Sequence, residues 1–246
     1  MGMSGNFLVL GTGRSGTSWL IDTLSRHPDL VAHDEMFNLG MEAPARANNY
    51  FMLSGERNRY PRPISVWKFL ARHFRGVERA GFKMLYGDLR QFPDVIGCLI
   101  LMRFGVIHII RQNQLDATIS LEIVHQRLPK WHLREGEANP ADDLSIVLPA
   151  KTLVRELDEK YKRIAQARRF LRVARLPHIE LEYEILKADP GEFARVWEFL
   201  GVASPPAGPV STLRKIRTQS HREILQNYAE VQAALAGSAY EHLLEK

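Results

Sequence analysis

A chain of 246 residues with 45% hydrophobic content is long enough to bury one sizeable α/β core and too apolar to stay disordered. The formal net charge of +5 suits an anionic small-molecule partner, but the basic residues are scattered among acidic ones, which argues against nucleic acid. The lone cysteine, Cys98, lies in an apolar run, which excludes a disulfide framework and a cysteine metal site and points to a reducing, cytoplasmic setting.

The histidines show no ligand spacing, so no metal is expected. The longest apolar run, Val95 to Ile110, is broken by Arg103 and Gly105 and is too short to span a bilayer. The opening residues MGMSGNF lack a basic segment followed by an apolar stretch, so no targeting peptide is expected. No internal repeat, low-complexity tract or domain boundary stands out, and residues 1–246 are expected to form one domain.

Phe7-Leu8-Val9-Leu10 has no internal polar residue, the pattern of a strand buried on both faces. Gly11, Gly13 and Gly16 follow, with backbone free to take positive φ, and Ser15-Gly16-Thr17-Ser18 leads into an apolar-periodic helix containing Trp19, Leu20, Ile21 and Leu24. A strand, a glycine-rich turn and a helix N-terminus form a phosphate cradle, because the unpaired first-turn amides and the positive end of the helix dipole face the same point. The spacing nearly matches G-x-x-x-x-G-K-[ST], but Thr17 stands where the lysine that holds the β- and γ-phosphates would be. ATP or GTP hydrolysis is therefore disfavoured, and the positive charge of the loop is Arg14.

Arg14-Ser15-Gly16-Thr17-Ser18-Trp19 resembles the 5′-phosphosulfate loop of the sulfotransferases that use 3′-phosphoadenosine 5′-phosphosulfate (PAPS), which reads roughly [KR]-[ST]-G-[TS]-[ST]-[WL]. The resemblance implies a three-layer α/β/α fold with a central parallel, P-loop-like sheet. It also implies transfer of a sulfuryl group to a hydroxyl, with Gly13, Arg14, Ser15, Gly16, Thr17 and Ser18 around the cosubstrate's 5′ end. Two rivals remain open: a P-loop kinase of small molecules and a non-catalytic nucleotide-binding module.

His27-Pro28 stops the first helix, and Leu30 to His33 reads as a second strand ending at Asp34-Glu35. Ligands gather at the carboxyl ends of parallel strands, so His33, Asp34 and Glu35 should emerge beside the loop. Glu35-Met36-Phe37-Asn38 is similar to the segment of bacterial sugar-modifying sulfotransferases in which a glutamate precedes an aromatic residue. That similarity implies Glu35 as general base and a carbohydrate, lipid-linked or small-metabolite acceptor, with His33 in reserve.

Met41 to Pro63 has no clean period and carries Arg46, Arg57, Arg59 and Arg62, as an acceptor-binding segment or lid would. Ile64 to Phe74 reads as a helix and Ala80 to Leu85 as a third strand. Lys83 near its end resembles a family position facing the active site, since a buried strand tolerates a lysine only if it reaches a ligand or an acid. Pro93 to Phe104 reads as a buried helix and Val106 to Ile110 as the next strand.

HIIRQNQLDATISLEI resembles the family's 3′-phosphate segment, in which an arginine ends the strand and a serine sits on the following helix. Arg111 and Ser120 match it, nine positions apart instead of the family's usual eight, and Thr118 is the weaker hydroxyl. A planar guanidinium and a hydroxyl together can grip a phosphate.

Leu128 to Leu144, with Trp131, His132 and Pro140, is a polar connection that could contact the acceptor. Pro149 to Ala174 reads as a long charged helix, His178 to Glu184 as the last strand, and Pro190 to Leu200 as a helix. The run YEILKADPGEFARVWEFLGV resembles the family's structural C-terminal segment. Arg214, Lys215 and Arg217, ahead of a helix starting near Ser220, resemble its basic loop over the 3′-phosphate.

Overall fold

The computed structural model describes residues 5–38, 49–50, 61–128, 132–137 and 143–245. The expected acceptor segment around Arg46, Arg57 and Arg59, together with Trp131 and Pro140, lies outside the described residues.

Strand β1 (Phe7–Gly11) is followed by α1 (Thr17–Leu24), β2 (Val31–Glu35), α2 (Arg62–His73), β3 (Ala80–Leu85), α3 (Tyr86–Gln91), α4 (Pro93–Leu101) and β4 (Gly105–Ile110). Then come α5 (Gln114–Arg127), β5 (Leu133–Arg134), α6 (Ala150–Val173), β6 (His178–Glu182), α7 (Tyr183–Ala188), α8 (Phe193–Leu200), β7 (Leu213–Arg214), α9 (His221–Ile224) and α10 (Tyr228–Leu235). Five strands form one sheet in the order β2-β3-β1-β4-β6, and every pairing in it is parallel. The short β5 and β7 pair antiparallel as a separate ribbon.

The apolar strands are central because parallel strands are covered on both faces. Phe7, Leu8, Val9 and Leu10 are all fully buried, and each such side chain contributes about 2 kcal/mol relative to exposure. Phe7, Val9, Ile107, Ile109 and Leu181 pack with α1, α7 and α8. Leu8, Leu10, Phe82, Met84 and Val106 face the other way, onto α2, α4 and the end of α6. A third cluster joins α5, the first half of α6 and α10.

The chain leaves β1 for the outer strand β2, returns through β3, and then crosses to the other side of β1 for β4. The direction of travel reverses at β1, so the crevice at its carboxyl end is where an open α/β sheet takes a ligand.

Three boundaries differ from the sequence reading. Pairing along β6 ends at Glu182, opposite Ile110, where β4 itself ends, so Tyr183 and Glu184 open α7 instead of extending the strand. The helix expected to be buried, α4, buries only Val95, Cys98 and Leu99 along one face and stops at Leu101, which is exposed, and Arg103 takes a left-handed φ of 55° before Phe104 and β4. The segment after β3 turns at once into α3, where the Asp88 carboxylate accepts from the Leu85 amide at 2.8 Å.

Candidate functional site

The loop between β1 and α1 closes on itself: Ser15 is fully buried and its Oγ donates to the Thr12 carbonyl at 2.7 Å. Gly16 caps α1 with φ 93°, and a Cβ there would come within 2.2 Å of the Tyr183 ring. Gly11 and Gly13 do not take positive φ; Arg14 does, at 64°. A non-glycine residue in that region costs on the order of 1 kcal/mol and persists where its surroundings fix it. Arg14 is fixed on two sides. Its Nε donates to Ser120 Oγ at 3.0 Å, and its carbonyl accepts from Arg111 Nη1 at 3.2 Å.

Those two contacts join the glycine loop to α5 and to the end of β4, segments about a hundred residues away in sequence. Burial first, then the nearby Arg111 charge, push the Arg14 guanidinium down to about 10, still protonated at neutral pH.

Arg111 is itself buried, under the Tyr183 ring at 5.4 Å. Its Nη2 donates to Asp116 Oδ2 at 3.0 Å. Asp116 also accepts from His221 Nε2 at 2.7 Å and from Arg217 Nη2. Burial raises the Asp116 carboxyl, but the His221 hydrogen bond and the charges of Arg111 and Arg217 outweigh it and hold the group well below the usual carboxylate range. Arg111 Nε and His221 Nδ1 are buried without a hydrogen-bond partner. Glu184 Oε1 is 3.9 Å from that Nε and accepts from the Asn113 amide at 3.2 Å.

Within the basic loop the structure separates the three cations. Arg217 joins Arg111 through Asp116. Arg214 instead donates to the Glu137 carbonyl at 2.7 Å, and Lys215 is exposed.

At the other side of the loop, Lys83 is buried in β3 and its Nζ lies 2.8 Å from each of Ser18 Oγ, Asp34 Oδ1 and Glu35 Oε1. Burial works against its charge, yet Asp34 and Glu35 outweigh burial and raise the Lys83 pKa. The β2–β3 register explains how two adjacent carboxylates reach one lysine. His33 stands opposite Phe82, and an irregularity then sets Glu35 opposite Lys83. Asn38 Nδ2 donates to the second Glu35 oxygen.

His33 points to the other face of the sheet, where its ring meets Phe74 and His73 with centroids 6.3 and 6.2 Å away. Burial and His73 lower its pKa. Arg14, Ser15, Gly16, Thr17, Ser18, Glu35, Lys83, Arg111, Ser120 and Arg217 are thus brought to one edge of the sheet, whereas His33, Arg214 and Lys215 are not. His132, which the sequence offers only as part of a connection that could contact the acceptor, lies beside Arg14, its Nδ1 3.5 Å from Arg14 Nη1. Among the described residues no helix is long and apolar enough to cross a membrane.

No family model matches the chain. Nodulation protein H of Rhizobium meliloti is 24% identical to it over 245 residues, 97% of this chain and 94% of that protein. The protein of the same name from strain 1021 aligns to the same extent. Among solved structures, the crystal structure of mouse sulfotransferase SULT7A1 complexed with PAP aligns at 15% identity and a TM-score of 0.48, covering 82% of this chain and 61% of the mouse chain. A sulfotransferase from Alicyclobacillus acidocaldarius aligns at 16% identity and a TM-score of 0.46, covering 98% and 96%.

Proposed function

We propose that this chain is a sulfotransferase that moves a sulfuryl group from PAPS to a hydroxyl of an acceptor, with 3′-phosphoadenosine 5′-phosphate (PAP) as the nucleotide product. The observation that carries the reading is the junction at Arg14, where the glycine loop meets both Arg111 and Ser120. A single ligand with an anion at each end fits that junction. Two features favour it: the buried Arg111 Nε has no hydrogen-bond partner, and a Cβ built on Gly13 meets nothing within 4 Å, so the loop is open on that side.

When bound, the cosubstrate supplies an activated sulfuryl group on a phosphate that departs readily. The amides of the first turn of α1 and the Arg14 guanidinium stabilise the charge that develops on that phosphate. Arg111, Ser120 and Arg217 hold the 3′-phosphate, and the nine-residue spacing is compatible because Arg14 bridges to the Ser120 hydroxyl. Lys83 and Ser18 hold the sulfuryl oxygens. Lys83, kept charged by two carboxylates, serves as a cation and not as a base.

Glu35 accepts the proton of the acceptor hydroxyl as its oxygen bonds to sulfur and the bond from sulfur to the leaving phosphate breaks. Its contacts with Lys83 and Asn38 support that role. His33, on the opposite face, has no part in this. The acceptor is a carbohydrate, a lipid-linked sugar or a small metabolite, a class supported by the Glu35-Met36-Phe37-Asn38 run. A cytoplasmic location suits the buried, unpaired Cys98.

Incubation with radiolabelled sulfuryl donor and a panel of hydroxyl acceptors tests the reading. Wild type transfers label, and E35Q loses about 10²-fold or more of the rate, the usual contribution of a general base, while still binding PAP. Wild-type turnover in E35Q would remove Glu35 from the mechanism; absence of transfer by wild type to every acceptor would count against the activity itself.

A further inference from the structure

His132 immediately precedes the ribbon strand β5, and its ring is turned toward the loop. Arginine only donates, so the imidazole Nδ1 facing Arg14 Nη1 at 3.5 Å has to accept, and the ring proton sits on Nε2. Burial, followed by the charges of Arg14 and Lys83, pushes the imidazole down to about 4. The ring is therefore neutral at neutral pH.

Its backbone is anchored to the same helix that carries the loop. Leu133 pairs with Arg214, Arg134 donates to Thr212 Oγ1 at 2.9 Å, and Thr212 in turn donates its amide to Asp22 of α1 at 2.7 Å. This chain of short contacts ties His132 to the helix that carries the loop.

We propose that His132 is a positioning residue for sulfuryl transfer: it fixes the outer nitrogen of Arg14 while Ser120 fixes its Nε, so that the guanidinium is aimed at the leaving phosphate. This rests on the sulfotransferase reading above. Ser120 Oγ and His132 Nδ1 are uncharged acceptors, so these two contacts orient the guanidinium without neutralising it. A carboxylate in the place of His132 would hold Arg14 as firmly and cancel the charge the reaction needs.

The test compares kcat, KM and PAP affinity in wild type, H132A, H132N and H132Q. The asparagine oxygen falls near the position of Nδ1, whereas the glutamine reaches the position of Nε2. H132A should lower kcat about tenfold or more, as misplacement of a catalytic group does, and should weaken PAP binding as well, because the 5′-phosphate of PAP carries in full the charge that Arg14 faces, while the KM for the acceptor stays within about twofold of wild type. H132N should recover most of the loss and H132Q should not. Wild-type kcat in H132A, or equal impairment in H132N and H132Q, overturns the proposal.

A second readout does not require turnover. The ¹⁵N spectrum of the His132 imidazole should show the Nε2-protonated neutral tautomer persisting below pH 5, and R14Q should shift its Nδ1 resonance. An imidazole that titrates near its ordinary value, indifferent to R14Q, removes the contact and with it the proposal. If wild type transfers no sulfate while the tautomer and the R14Q shift appear, the contact stands, and both the activity and the positioning role built on it fall.

Discussion

Lys83 shows how much a single buried charge can organise. It meets Ser18, Asp34 and Glu35 at equal distances, so its removal strands two carboxylates together. K83M should lower stability by about 3 kcal/mol, the scale of a broken ion pair at a buried site with one partly exposed partner, and should abolish turnover. The pH dependence has a definite sign. The Lys83 pKa is raised on folding, so its contribution is fully present below the ordinary lysine value and is lost as pH climbs through the folded one. Denaturant titrations at alkaline pH should show that loss in wild type and not in K83M.

His132 behaves oppositely. Its pKa falls to about 4 on folding, so between the ordinary histidine value and 4 the unfolded chain binds the extra proton and stability drops as pH is lowered. H132N should flatten that limb of the stability profile. Gly16 gives a third test at this scale: G16A combines a left-handed φ of 93° with a Cβ 2.2 Å from Tyr183. It should cost about 1–3 kcal/mol and weaken PAP binding, both measurable on the purified variant.

The sequence was informative about side chains whose roles depend on local order. Arg14 through Ser18 follow a strand and open a helix, and Lys83 is a cation in an otherwise apolar strand. His33 was placed wrongly relative to the loop, because alternation along β2 turns it to the far face and the irregularity after it lets Asp34 and Glu35 reach the same lysine. No hydrophobic pattern announces such an irregularity. The sequence offers His132 only as an acceptor contact, because its place beside Arg14 comes from proximity across 118 positions.

Among the elements, the β5–β7 ribbon is short, with Leu133 its buried core residue, and lies next to the site. It holds Arg217 near Asp116 and His132 near Arg14, and it is tied to α1 through Asp22, which accepts from Ser211 Oγ at 2.9 Å and from the Thr212 amide at 2.7 Å. D22A should loosen residues 211–217 in amide hydrogen exchange and reduce PAP affinity, while the central sheet exchanges as in wild type. Equal protection in both proteins would mean that the ribbon is held by something else. A two-residue strand carries no periodicity, so the ribbon could not be read in advance, nor could the position of Arg214 and Lys215 away from Arg111. The long elements could be read: β1, β3 and β4 are apolar runs, and α6 repeats Leu153, Leu157 and Ile164 at helical spacing.

For the molecule as a whole, strand order decides what the separate motifs can do together. Because β1 lies between β3 and β4, its loop has Lys83 on one side and Arg111 on the other, and the first helical turn faces both. The family resemblance implied a parallel α/β architecture, but the order β2-β3-β1-β4-β6 depends on long-range pairing that no local pattern encodes. Under the proposed function, Thr17 in place of the P-loop lysine and the junction of Arg14 with Arg111 and Ser120 favour one ligand with two anionic ends over a triphosphate with its metal. Calorimetric titration of the wild-type chain with PAP, and separately with ATP and magnesium, tests that claim most directly. PAP should bind at least about tenfold more tightly, a difference of about 1.4 kcal/mol, and without magnesium; ATP binding as tightly as PAP or more so would contradict the account.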